Sequence, residues 1–152
     1  MNSGRRKNPA MAEPLKLMMV EDSPSLTAIY QAYLAGEGYK VVCVDTLGRA
    51  HATLDGFAPD LILLDIELPD GNGMDFLEHV MTLTPAPKVV VMTAHGTSNM
   101  AVDAIDLGAS DFLTKPFDAA RLKVTLANAA EQLSLGKQIE ALSGKKRDGY
   151  AG

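Results

Sequence analysis

The sequence predicts a doubly wound α/β domain, a parallel sheet covered by helices on both faces. Short apolar runs alternate five times with segments whose apolar residues recur at helical spacing. The runs are apolar on both faces, as strands are when helices bury a parallel sheet from two sides. Right-handed crossovers between successive strands then complete the winding.

Each element has a local reason. The first strand is expected from Leu15 to Val20, ending at Glu21-Asp22. Ser23 can cap the next helix and Pro24 suits its first turn. Leu26, Ile29, Tyr30 and Tyr33 follow at helical spacing, and Gly36 and Gly38 stop them. Val41 to Val44 reads as the second strand. Thr46 can cap a second helix through Ala50 and Leu54, with Gly56 expected to end it. Pro59 precedes Leu61 to Leu64, a third strand that ends in Asp65. Pro69, Asp70, Gly71 and Gly73 make a turn before a third helix marked by Met74, Leu77, Val80 and Met81, which Pro85 and Pro87 break. The fourth strand runs from Lys88 to Met92 and ends at Thr93. Ala101, Val102, Ile105 and Leu107 mark the fourth helix, stopped by Gly108. Asp111 to Thr114 is a short fifth strand, closed by Lys115-Pro116, and Asp118 can cap a last helix from about Ala119 to Leu135.

Composition narrows the function. A length of 152 residues fits one domain with tails, and 47% hydrophobic residues supply a core without a disulfide or structural metal. Lys and Arg number 14 against 19 Asp and Glu, a net charge of −5. That balance argues against direct nucleic-acid binding, which favours a basic stripe, and leaves room for a cationic ligand. A lone cysteine, Cys43, excludes an internal disulfide and suits the cytoplasm. No apolar run approaches the ~20 residues of a membrane span, and no apolar stretch follows Arg5, Arg6 and Lys7 to make a signal peptide. Residues 1–13 are expected to be a disordered extension or a remnant ahead of a start at Met11.

The polar residues fall at one kind of place. Glu21-Asp22, Asp65, Thr93 and Lys115 each sit at the carboxyl end of an expected strand. In an open α/β sheet those ends share one edge, where ligands bind. Carboxylates gathered there repel one another, and a hard cation such as Mg²⁺, which takes oxygen ligands and keeps waters, relieves that repulsion. A carboxylate can attack phosphorus to give an acyl phosphate. A lysine and a threonine hydroxyl beside it can bind phosphoryl oxygens.

Met19-Val20-Glu21-Asp22-Ser23, Leu63-Leu64-Asp65-Ile66, Leu68-Pro69-Asp70-Gly71, Met92-Thr93-Ala94 and Lys115-Pro116-Phe117 resemble, in order, the signature of response-regulator receiver domains. The resemblance runs from roughly Leu15 to Leu133. It implies the flavodoxin-like strand order 2-1-3-4-5 with five helices. It further implies Asp65 as phosphoacceptor, and Glu21, Asp22, Asp65 and the backbone carbonyl of Glu67 as Mg²⁺ ligands. Thr93 and Lys115 become phosphoryl-binding residues, Thr93 and Phe112 the switch pair, and Lys115–Pro116 a cis peptide. The donor implied is a sensor histidine kinase or a histidine phosphotransfer protein. Met92 to Gly96 and Asp111 to Phe117 are similar to receivers of sigma-54-dependent transcriptional regulators of the NtrC and LuxO type. Asp148 to Gly152 is similar to the lead-in to their ATPase domain. The resulting expectation is a receiver over residues 14–134 and a helical linker or tail over 135–152, with ATPase and DNA-binding domains outside this chain.

Plainer readings stand beside these. An Asp at a strand end is ordinarily a cap, but here it has four partners at three other strand ends. Glu21-Asp22 also suits a helix start. Phe112 fits a core residue as well as a switch, and His95 fits a solvated loop as well as a residue that tunes phosphate lifetime. Leu122 to Leu133 suits packing on the sheet, whereas Leu135, Ile139 and Leu142 suit a partner helix in a homodimer. A stand-alone receiver, acting by partner binding or in a relay, shares the same chemistry. A phosphohydrolase is disfavoured because such folds usually carry a second Asp two residues after the nucleophile, where this chain has Glu67. No turnover of an external substrate is expected.

Overall fold

The computed structural model describes residues 13–94 and 99–133. Five parallel strands form the sheet: β1 (Lys16–Val20), β2 (Lys40–Val44), β3 (Leu61–Asp65), β6 (Lys88–Thr93) and β7 (Asp111–Thr114). Their order is β2-β1-β3-β6-β7, which is the expected 2-1-3-4-5 once a small extra pair is set aside. That pair is β4 (Glu67–Leu68) and β5 (Gly71–Asn72), an antiparallel hairpin joined by Pro69-Asp70. The helices are α1 (Pro24–Leu34), α2 (Leu47–Phe57), α3 (Gly73–Val80), α4 (Asn99–Leu107) and α5, residues 119–133.

Strand periodicity explains how one apolar run serves two cores. Successive side chains point to opposite faces. Leu17, Met19, Leu61 and Leu63 join a core with Tyr30 and Leu34 of α1 and Leu122 and Leu126 of α5. Met18, Val20, Ile62 and Leu64 join the other, with Leu54 of α2, Phe76 and Leu77 of α3 and Ala104 of α4. All five residues of β3 are buried, as befits the central strand.

Helix starts follow the sequence signals. The Ser23 hydroxyl accepts from the Leu26 amide at 3.2 Å, Thr46 from Arg49 at 3.1 Å, and Asp118 from Arg121 at 2.8 Å. One helix end does not. Gly56 lies inside α2, which continues to Phe57 because that ring packs against the core. Ala58 ends the helix instead, in the left-handed conformation at φ 50°, and Pro59 directly after it cannot prolong the helix. Gly108 is constrained twice. Its φ is +122°, and a Cβ there would lie 2.6 Å from Met81 Sδ. A second cis peptide, Thr84–Pro85, accompanies cis Lys115–Pro116, and no sequence signal distinguished it from other X-Pro bonds.

Candidate functional site

Parallel strands put all their carboxyl ends on one edge, and four of the five supply the site. Glu21 and Asp22 follow β1, Asp65 closes β3, Thr93 closes β6 and Lys115 follows β7. The sheet register holds them level. Asp65 pairs with Met92, one residue before Thr93, and Thr93 pairs with Thr114, one residue before Lys115. The Lys115 amide donates to the Thr93 carbonyl at 2.8 Å, which fixes the start of the β7–α5 loop on β6.

The centre is an ion-pair cluster. Lys115 Nζ donates to Glu21 Oε1 and to Asp65 Oδ2, both at 2.7 Å. The other oxygens are also held. The Glu67 amide donates to Asp65 Oδ1 at 2.8 Å, and the Ser23 amide donates to Glu21 Oε2 at 3.1 Å. Glu21 and Asp65 are each 3% exposed and Thr93 is fully buried, whereas Asp22 is open to solvent. Burial pushes the Glu21 carboxyl above its ordinary 4.5, and the bonds from Lys115 and the Ser23 amide only partly offset it. Burial also disfavours the Lys115 ammonium, yet the bonds to Asp65 and Glu21 together outweigh it and hold Lys115 above its ordinary 10.5. An ion pair alone would lower the acid. Glu21 goes up because it is nearly sealed, and the Asp65 charge beside it adds to the rise.

Glu21, Asp22 and Asp65 each offer a carboxylate oxygen, and these oxygens lie within 4.8 Å of one another. An all-oxygen anionic set with one open side fits a hard divalent cation that retains waters. Glu67 lies in β4, two residues past Asp65, and its carboxylate accepts a long 3.5 Å bond from the Ala94 amide. Phe112 in β7 is half-buried and packs against the core that faces α2, α3 and α4. Gly73 is a close-packing point as well as part of a turn. A Cβ there would sit 2.6 Å from Ile66 Cα and 2.9 Å from the Asp65 carbonyl oxygen, so glycine lets α3 start against the backbone of Asp65-Ile66. His95 and the segment 135–152 lie outside the described residues.

Residues 17–127 match the family described as the response regulator receiver domain. The chain belongs to this family. Receiver domains are signalling modules. This one is 41% identical over 135 residues to the regulatory protein LuxO of Vibrio vulnificus, covering 88% of this chain and 30% of that protein. It therefore spans under a third of that relative's length. A crystal structure described as the signal receiver domain of a LuxO repressor from Vibrio parahaemolyticus superimposes with a TM-score of 0.79 at 36% identity, over 84% of this chain and 98% of that one. The solution structure of the beryllofluoride-activated NtrC4 receiver domain dimer gives 0.73 at 35% identity, over 78% and 98%. Among the described residues no helix is long and apolar enough to cross a membrane.

Proposed function

We propose that this receiver takes a phosphoryl group on Asp65 and thereby switches a sigma-54-dependent transcriptional regulator. The observation that carries the reading is the cluster in which Lys115 bonds both Asp65 and Glu21 at 2.7 Å, with Asp22 open beside them. One Asp65 oxygen attacks the phosphorus of a phosphohistidine on a kinase or phosphotransfer protein. The P–N bond breaks and the imidazole leaves. Lys115 turns from the carboxylates toward the new phosphoryl oxygens, and Thr93 offers its hydroxyl to one of them. Glu21, Asp22, Asp65 and the Glu67 carbonyl would hold Mg²⁺, which supplies charge neutralisation to the transferring group.

Surfaces around the site support the rest. An apolar recess lined by Leu26, Ile29, Tyr30 and Phe117 reaches Lys115 and suits an incoming donor helix. Val102 and Ile105 on α4 and Val124 on α5 are exposed, which suits a homodimer contact. Movement of Thr93 toward phosphate gives Phe112 a reason to turn inward and alter that contact, a shift between two states biased by the phosphoryl group.

The test is intact-mass analysis after incubation with Mg²⁺ and acetyl phosphate. A Mg²⁺-dependent gain of roughly 80 Da that is absent in Asp65→Asn is the expected outcome. Equal labelling of both proteins refutes the assignment.

A further inference from the structure

The Pro69-Asp70 turn does more than reverse the chain. Asp70 Oδ1 accepts from the Leu47 amide at 2.9 Å and Oδ2 from the Gly48 amide at 3.1 Å. One carboxylate thus satisfies two of the first-turn N–H groups of α2, which have no partner within their own helix. A negative charge also suits that end of the helix dipole. Those two bonds, the Leu47 one first, hold the Asp70 carboxyl below its ordinary 3.8. The hairpin and α2 touch by packing as well. A Cβ on Gly71 would lie 3.1 Å from Leu47 Cδ1, and Leu68 and Leu47 belong to the same buried core.

The other end of this short loop is the acceptor. Glu67 pairs with Asn72 and Leu68 with Gly71, so the two strands flanking Asp70 move as one hairpin. The Glu67 amide bonds Asp65 Oδ1 at 2.8 Å, and Asn72 caps α3 through the Met74 amide at 2.8 Å. We propose that Asp70 is a positioning residue, clamping the loop that carries Glu67 to the N-terminus of α2 and so fixing the Glu67 backbone beside Asp65. Its effect on cation binding rests on the acceptor reading above. The clamp itself does not.

The experiment compares the full chain with Asp70→Ala, Asp70→Asn and Thr46→Ala, using amide hydrogen exchange and Mg²⁺ titration calorimetry. Thr46→Ala is the control because it removes the other cap of α2 and leaves the hairpin untouched. Asp70→Ala should speed exchange across residues 66–72 and weaken Mg²⁺ binding about tenfold, the low end for residues that orient a metal ligand. Asp70→Asn keeps one acceptor oxygen and should recover part of both. Thr46→Ala should leave both at the wild-type level while lowering thermal stability. The clamp is overturned if Asp70→Ala alters neither readout, or if Thr46→Ala alters both equally, since general fraying of α2 would then suffice. If the wild type binds no Mg²⁺, the acceptor reading fails, and exchange across residues 66–72 alone decides the clamp.

Discussion

Replacing Lys115 with Met removes the ammonium and keeps an apolar stem of similar size. Glu21 and Asp65 then lose the cation they share, while their side chains stay 1% and 4% exposed. Removing one partner of a buried pair costs about 3–5 kcal/mol, because the surviving charge is left in place. The Lys115 side chain is 17% exposed and Asp22 opens the site to water, so the low end applies, ~3 kcal/mol. At about 2–4 °C per kcal/mol for a chain of this size, the melting temperature should fall by about 6–12 °C at neutral pH without Mg²⁺. The sign with pH follows from Glu21. Its carboxyl is held above the ordinary value, so its contribution to stability is whole below 4.5 and declines as pH rises through the elevated value. Lys115 moderates that decline. The variant's deficit should therefore be smaller below pH 4.5 than near neutrality. Millimolar Mg²⁺ should narrow it by bringing a second cation to the same carboxylates. Thermal unfolding followed by circular dichroism reads all three conditions. A deficit that is equal in acid and at neutral pH, or none at all, would refute the claim that Lys115 neutralises these two acids.

Two further outcomes can be checked by routine means. Gly108→Ala should cost about 2–4 kcal/mol in urea unfolding, combining left-handed strain with overpacking against Met81. Adding Met81→Ala should relieve the clash, 2.6 Å from Sδ, but leave the part due to φ +122°. The Cys43 thiol is pushed up by burial, so its stabilising contribution is present below its ordinary 9.0 and is lost as pH rises above it. Wild type should lose stability more steeply than Cys43→Ala just above pH 9.0, before Tyr30 and Tyr39, also raised by burial, begin to ionise. Equal slopes in that window would show that the thiol is not shielded.

The amino-acid order by itself determined the sheet, the helices and which residues fall on the site's edge of the sheet. Strand period and continuous apolar runs depend on local spacing, and in a parallel sheet every strand end falls on one edge. Glu21, Asp65, Thr93 and Lys115 could therefore be brought together without coordinates. Ser23, Thr46 and Asp118 were legible as caps because a cap bonds only two or three residues ahead. What lay beyond local reading was long-range. Gly56 looked like a helix stop, but burial of Phe57 carried α2 past it to Ala58. Nothing local announced that Gly73 must admit the backbone of Ile66, or that Asp70 bonds α2 from 23 residues away. The state of the charges was also decided in three dimensions. Lys115 is 94 residues from Glu21 in the chain, and only folding made it the shared cation of two nearly sealed carboxylates. Burial and hydrogen bonding depend on neighbours in space, which a linear pattern of residue types does not contain.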